Sequence, residues 1–157
     1  MSEPTETYEP RKIFTVEQAN AVLPLVRAIT KDLVQLSQEV IDRRERLAML
    51  TARRSSSAKD LYSEELAQIE EELDKDSQRL QAYVDELREL GVEPKSGAEG
   101  LVDFPSKIDG RLVFLCWKLG EPEVLHWHEL ESGFAGRQPL AAGSIADSSG
   151  QSTGDSF

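Results

Sequence analysis

Apolar residues recur at alternating steps of four and three positions in two long segments of the chain. The first series is Val22, Val26, Ile29, Leu33, Leu36, Val40, Arg43, Leu47 and Leu50. The second series is Tyr62, Leu66, Ile69, Leu73, Asp76, Leu80, Tyr83, Leu87 and Leu90. This spacing places every member of a series on one face of an α-helix. The pattern predicts two long helices, each with one apolar seam and one charged exception.

A short polar segment, residues 53–58, separates the two series, and Ser57 with Asp60 could begin the second helix. Helices joined by so short a connection pack antiparallel. A turn at this place sets Arg43 opposite Asp76, so the two charged exceptions become partners. We therefore predict a coiled-coil hairpin over residues 15–91, with Arg43 and Asp76 as a structural pair in its seam.

The ends of the predicted hairpin carry recognisable signals. Thr15 and Gln18 have the spacing of a capping box at a helix start. Gly91, followed by Val92, has the pattern of a Schellman end. Pro24 lies inside the first helix, where it lacks an N–H and clashes with the preceding turn, so we expect a kink or a short break there.

The pattern changes after Pro94. Residues 101–104, 111–119 and 124–128 are short segments typical of strands, and Asp109-Gly110 is a two-residue hairpin signal. The sequence therefore predicts an α+β fold, a long antiparallel two-helix coiled-coil hairpin followed by a small three-stranded antiparallel β-meander in the region 100–140.

The chain divides into one folded domain with polar ends. Residues 13–140 form the predicted α+β domain, residues 1–12 a flexible N-terminal arm and residues 141–157 a disordered tail. The predicted central strand is apolar on both faces, and the helices can cover only one. Either residues 133–140 fold back over the other face or a second subunit covers it, which makes a homodimer an expectation.

The formal charge of −11 limits the classes of partner that the protein can bind. Nucleic acids and anionic membranes attract clustered Lys and Arg, so neither is expected as a partner. The N-terminus is acidic and unlike a signal peptide, and the longest apolar run, residues 112–117, is too short to span a bilayer. A single cysteine, Cys116, fits a reducing compartment. We expect a cytoplasmic protein that has protein partners.

Five motifs of the second half resemble a known family. They are GLVDFP from Gly100, IDGR from Ile108, LCWKLGE from Leu115, HWHE from His126 and GFAGRQP from Gly133. With Phe14-Thr15 and Leu23-Pro24-Leu25, they resemble an uncharacterised bacterial family, domain of unknown function 2203. The resemblance implies a bacterial protein and carries over no catalytic residue, because the family has no established activity.

His126 and His128 are the sharpest candidates for chemistry. At positions i and i+2 of a strand they share one face, about 6.5–7 Å apart. Two imidazoles can bind one metal ion if a third ligand is supplied, most plausibly Asp103 or Glu131. Zinc, iron or manganese would each accept this set. The competing interpretations are polar side chains bonded to the backbone or to acids, and a metal-free acid/base role.

Two other residues have a chemical and a structural interpretation. Cys116 could be a third ligand or a nucleophile, although on an apolar strand it is more often a small buried side chain. Arg137 could bind a carboxylate or phosphate, although a loop arginine is more often paired with an internal acid.

Two function classes follow. The first is a non-enzymatic protein-interaction or assembly module built on the hairpin, because no full catalytic set is present. The alternative is a divalent-metal-binding protein or metalloenzyme using His126 and His128 with a nearby carboxylate. The sequence does not decide whether the protein is an enzyme.

Overall fold

The computed structural model describes residues 8–53 and 59–140, apart from the side chains of residues 59–61. Helices α1 (Val16–Arg53) and α2 (Lys59–Glu89) precede one antiparallel sheet. The strands, in spatial order, are β1 (Glu93–Ser96), β2 (Leu101–Ile108), β3 (Arg111–Lys118), β4 (His126–His128) and β5 (Gln138–Pro139). Neither helix has an apolar stretch able to cross a membrane within these residues. The α+β fold with the hairpin first is confirmed.

The sheet has five strands, so the predicted number of three is wrong. The two additional strands, β1 and β5, lie at the edges and each contains a proline. Proline is tolerated at a sheet edge, where its missing N–H faces no partner strand. Strands this short and polar have no alternating apolar pattern, which is why the sequence did not reveal them. The predicted β-region also began at residue 100, after β1.

The structure shows the predicted helix ends. The backbone N–H of Gln18 donates to Thr15 Oγ1, and that of Thr15 donates to Gln18 Oε1, both at 3.0 Å. Gly91 has a φ of 90°, and the N–H of Val92 donates to the Leu87 carbonyl at 3.0 Å, which is the Schellman pattern. Helix α1 continues through Pro24, so the expected break is absent.

The two charged exceptions of the seam meet as the register requires. Arg43 donates to the carboxylate of Asp76, whose side chain is only 6% exposed. Arg79 also lies 3.7 Å from Asp76, and Arg43 lies 3.4 Å from Glu72. The buried carboxylate therefore has two cationic neighbours.

One sheet face packs against the first half of α1 and the second half of α2. The core there is formed by Val26, Leu33, Leu87, Val102, Phe104, Leu115 and Trp117, with other apolar residues around them. The segment that enters α1 also bonds to β2, since the Phe14 N–H donates to the Pro105 carbonyl at 2.7 Å. Ser106 Oγ donates to the Phe14 carbonyl at 2.6 Å. Helix and sheet are thus fixed to each other at this point.

Helix α1 also holds the segment before β4. The Val124 N–H donates to Asn20 Oδ1 at 2.7 Å, and Arg27 donates to the Pro122 carbonyl at 3.0 Å. The guanidinium of Arg27 lies 5.7 Å from the centre of the Trp117 ring. These contacts position the strand that carries both histidines.

Three expectations fall wholly or partly on residues outside the described ranges. They are the start of the second helix near Ser57, the disordered tail 141–157, and the first seven residues of the flexible arm 1–12. These expectations stay predictions.

We predict that Arg43 and Asp76 are strongly coupled in stability. Replacing Arg43 with leucine leaves the buried Asp76 carboxylate without its main partner and should lower the free energy of unfolding by roughly 3 kcal/mol. Replacing both residues with leucine should be nearly neutral, because the seam then becomes apolar throughout. Urea unfolding followed by circular dichroism measures both.

The matched control is Arg46→Leu. Arg46 pairs with Glu65 on the same helices, but its side chain is 62% exposed, so the loss should stay below about 1 kcal/mol. A double variant as unstable as Arg43→Leu would show that the seam does not tolerate apolar residues here.

Candidate functional site

The candidate residues lie on the sheet face that points away from the helices. Asp103 of β2 pairs with Cys116 of β3, and Cys116 pairs with His126 of β4. Phe114 pairs in the same way with His128. Directly paired residues of antiparallel strands project from the same face. Three adjacent strands therefore present an acid, a thiol and two imidazoles to one side.

His128 is fully engaged on both ring nitrogens. Nε2 lies 3.0 Å from Asp103 Oδ2, and Nδ1 lies 2.6 Å from the Glu129 carbonyl oxygen. Both partners accept hydrogen bonds, so the arrangement is satisfied when the ring donates from both nitrogens. His128 and Asp103 are each 2% exposed. The two side chains form a buried imidazolium–carboxylate pair in the absence of other ligands.

The pKa of His128 reflects these contacts. Burial alone lowers it, but the hydrogen bond to Asp103 raises it, with further contributions from Cys116, the Glu129 carbonyl and the Asp103 charge. The result is a pKa raised to about 10. The ring therefore carries a proton at neutral pH unless a stronger Lewis acid replaces that proton.

Cys116 completes a compact group with this pair. One ligand atom each from Asp103, Cys116 and His128 lies within 4.8 Å of the other two. All three residues are buried, and Arg137 Nη1 lies 3.8 Å from Cys116 Sγ. The sequence favoured a purely apolar role for Cys116. The structure places its sulfur beside an imidazole and a carboxylate.

His126 does not belong to this group of three, although it projects from the same face. The spacing i, i+2 fixes the side of the sheet but leaves the two rings a full repeat apart along the strand. His126 lies opposite Cys116 and is thus aligned with Asp103 across the three strands, whereas His128 lies opposite Phe114, two residues further along β4. His126 Nδ1 is buried and has no hydrogen-bond partner among the described residues.

Glu131 lies on the wall of a cavity above the group. This cavity has a volume of about 210 Å³. Asp103, Cys116 and His128 line it together with Lys95, and Leu130, Glu131 and Phe134 form another part of its lining. Glu131 is exposed, so the structure brings its carboxylate to the same space without bonding it to the histidines.

Residues 130–134 lie over this face of the sheet. The predicted alternative in which residues 133–140 fold back over it is therefore met only in part, because residues 138–139 form the edge strand β5. Arg137 donates to both carboxylate oxygens of Glu121, and its guanidinium lies 4.4 Å from the centre of the Phe134 ring. Burial alone would raise the pKa of Glu121, but the hydrogen bonds from Arg137 and the Lys118 N–H lower it overall. Arg137 is thus paired with an internal acid.

The opposite end of the face is covered by Tyr8. Its ring centre lies 5.5 Å from that of Phe114, and Phe114 lies 5.6 Å from the imidazole of His128. Burial raises the pKa of the Tyr8 phenol, and the Glu93 and Asp103 charges raise it further. Tyr8 is therefore a neutral aromatic neighbour of the candidate site.

The comparisons with known proteins agree with the resemblance noted in the sequence. A family model described as uncharacterized conserved protein (DUF2203) matches residues 12–140. The chain belongs to this family. No curated protein and no solved structure matches the chain.

We predict a stability profile that follows the raised pKa of His128 in metal-free protein. A base whose pKa is higher in the folded state stabilises the fold fully below its unfolded pKa. The stabilisation should thus be complete below pH about 6.5, decrease above it and be lost once the pH passes about 10. The measurement is the difference in unfolding free energy between the natural sequence and His128→Asn at several pH values. A difference that stays constant over this range would contradict the assigned proton.

Proposed function

We propose that this protein binds one divalent transition-metal ion, with zinc preferred, through Asp103, Cys116 and His128. The observation that carries the proposal is the meeting of oxygen, sulfur and nitrogen donors from three adjacent strands within 4.8 Å. Zinc accepts thiolate, imidazole and carboxylate ligands, whereas manganese favours oxygen. Relative to the two-histidine site expected from the sequence, Cys116 takes the place of His126.

The hydrogen bonds of His128 support this assignment. Metal-binding imidazoles usually donate their second N–H to a backbone carbonyl or carboxylate, which fixes the tautomer and the ring orientation. Nδ1 already faces the Glu129 carbonyl at 2.6 Å. Nε2, the nitrogen left for the metal, is the one that faces Asp103.

The metal has to compete with protons. Coordination requires a neutral imidazole and a thiolate, so binding releases protons and becomes weaker in acid. Because the pKa of His128 is about 10, the proton on Nε2 must leave at neutral pH. For each proton released, affinity should fall about tenfold per pH unit of acidification.

Three protein ligands leave a position of a tetrahedral ion open. Structural zinc sites have four protein ligands, whereas sites that act on a bound molecule keep the fourth position free. The group of three borders the cavity of about 210 Å³. The proposed ion would therefore be accessible to a small molecule, with Glu131 and Lys95 as charged neighbours.

The test is the zinc content of untagged full-length protein, measured by elemental analysis after zinc loading and dialysis. We expect about one zinc per chain. His128→Asn and Asp103→Asn should each lose most of it, because each removes one of three ligands, and Asp103→Asn does so without a change of size.

The matched control is His126→Gln. It changes the neighbouring histidine of the same strand and should keep its zinc. Equal loss in His126→Gln and His128→Asn would contradict the ligand set, and zinc-free natural protein would contradict the metal function.

A second candidate function is assembly through the outer part of the hairpin, residues 41–53 and 62–72. The apolar core shared with the sheet uses residues 14–33 and 80–92 of the helical half, so among the described residues the outer part contributes nothing to that core. Ile41 and Met49 are 37% and 54% exposed there. A second copy of the chain could cover both side chains, which would make a homodimer.

Light scattering with size-exclusion chromatography tests this assembly. If the outer hairpin forms the contact, Ile41→Gln with Met49→Gln should convert a dimer to monomer and retain the helical circular-dichroism signal. Leu25→Gln is the control, because Leu25 is 51% exposed on the same helix but nearer the sheet. A natural protein that is monomeric at about 100 μM, a concentration well above typical dimer dissociation constants, would exclude the assembly.

A further inference from the structure

The cavity above Asp103, Cys116 and His128 has one basic side chain in its wall outside the ligand group, that of Lys95. The register between β1 and β2 shifts between Pro94 and Ser96, so Lys95 is the additional residue of the edge strand. Such bulges redirect a side chain and occur often beside functional sites. The Lys95 ammonium lies 5.0 Å from the centre of the Phe114 ring, which places it over the site face.

Lys95 has no acidic partner within 4.0 Å among the described residues. Its strand neighbour Glu93 lies 3.5 Å from Arg88 instead. Two further basic residues lie beside Phe134 of the lining, Arg137 at 4.4 Å and Lys118 at 5.5 Å from its ring centre. Arg137 is paired with Glu121. In a chain of net charge −11, Lys95 is thus a cation held over an aromatic ring and left available to a ligand.

The remaining lining indicates the kind of anion. Leu101, Leu130 and Phe134 give the cavity an apolar part, and Asp103 and Glu131 place negative charge in it. In metal-free protein the His128 imidazolium balances Asp103, and Lys95 balances Glu131. A lining with no net charge suits a monoanion better than a phosphate dianion. The volume of about 210 Å³ corresponds to about seven water molecules in the liquid. An apolar cavity of about 150 Å³ can hold benzene, so this cavity has room for a molecule of the size of benzoate.

We infer that this cavity binds a small monocarboxylate with an apolar body, its carboxylate on the Lys95 ammonium and its body against Leu130 and Phe134. The proposed carboxylate site and the proposed metal site border the same cavity, and this shared place is the only way in which the first rests on the second. The lysine, the apolar wall and the volume are all present without the ion. The ligand can therefore be tested in metal-free protein.

The probe is sodium benzoate, titrated into metal-free full-length protein and followed by amide chemical shifts in NMR spectra. We expect saturable shifts at residues 95, 130 and 134. Lys95 is exposed, so Lys95→Met should weaken benzoate binding about two- to fivefold, the usual size of a solvent-screened ion pair. Lys107→Met, which removes an exposed lysine of the neighbouring strand outside the cavity, should change little.

Two further probes define the ligand class. Benzamide has the same shape without the charge and should bind much more weakly than benzoate. Inorganic phosphate should also bind more weakly, because it lacks an apolar body. The inference is overturned if benzoate gives no saturable shifts, if Lys95→Met binds it equally well, or if benzamide or phosphate binds as tightly.

Zinc content measured on the same variants separates this inference from the proposed metal function. Lys95→Met should keep its zinc, because Lys95 is not a ligand. Loss of benzoate binding with retained zinc supports the inference directly. Binding of benzoate to natural protein that takes up no zinc would support it while the metal proposal fails.

Discussion

The register between β2 and β3 is the constraint on which the candidate site depends. Asp109 and Gly110 have φ angles of 56° and 75°, so both central residues of the turn are left-handed, as a tight hairpin of the primed type requires. Ile108 is thereby set opposite Arg111, and each pair follows from it up to Leu101 and Lys118. A slip of one residue would turn Asp103 toward the helices, because side chains alternate between faces. The turn therefore fixes the register in which Asp103 lies opposite Cys116.

The two faces of the sheet bury different kinds of side chain. Toward the helices, Val102, Phe104, Leu115 and Trp117 form an apolar layer. On the other face the protein buries Asp103 and His128, which costs desolvation energy for both charges. Apolar residues of similar size would pack there without this cost. Stability alone thus gives no reason for an acid, a thiol and an imidazole at one buried point, whereas ligand binding does.

Much of the fold is readable from the sequence because its signals are local. The heptad seams, the Thr15–Gln18 capping box, the Gly91 end and the Asp109-Gly110 turn each depend on residues close together in the chain. The edge strands β1 and β5 carry no such signal, since pairing with a neighbour defines them. Pro24 does not interrupt the helix, since α1 is continuous from Val16 to Arg53. Of the two outcomes expected there, the break is therefore wrong and the kink stays a prediction.

The site was readable only in part. Strand alternation was enough to name Asp103 and His128. It does not give distances between positions along a strand, so it could not decide whether His126 or Cys116 joins them. The two-residue turn fixes the pairing of Asp103 with Cys116, and counting from it would have revealed the thiol. His128 reaches that pair through Nε2, in a side-chain conformation in which Nδ1 contacts the Glu129 carbonyl. No sequence pattern describes this contact.

The arrangement of layers explains why a cavity exists on this face. Helices cover one side of the sheet and hold its strands, so the floor formed by Asp103, Cys116 and His128 is positioned before any ligand arrives. Within the described part of the chain, short segments cover the other side, Tyr8 at one end and residues 130–134 at the other. Affinity in such a site comes from the preorganised floor, since little ordering is needed on binding. Selectivity in the proposed site would come from the walls, which include the exposed side chains of Lys95 and Phe134.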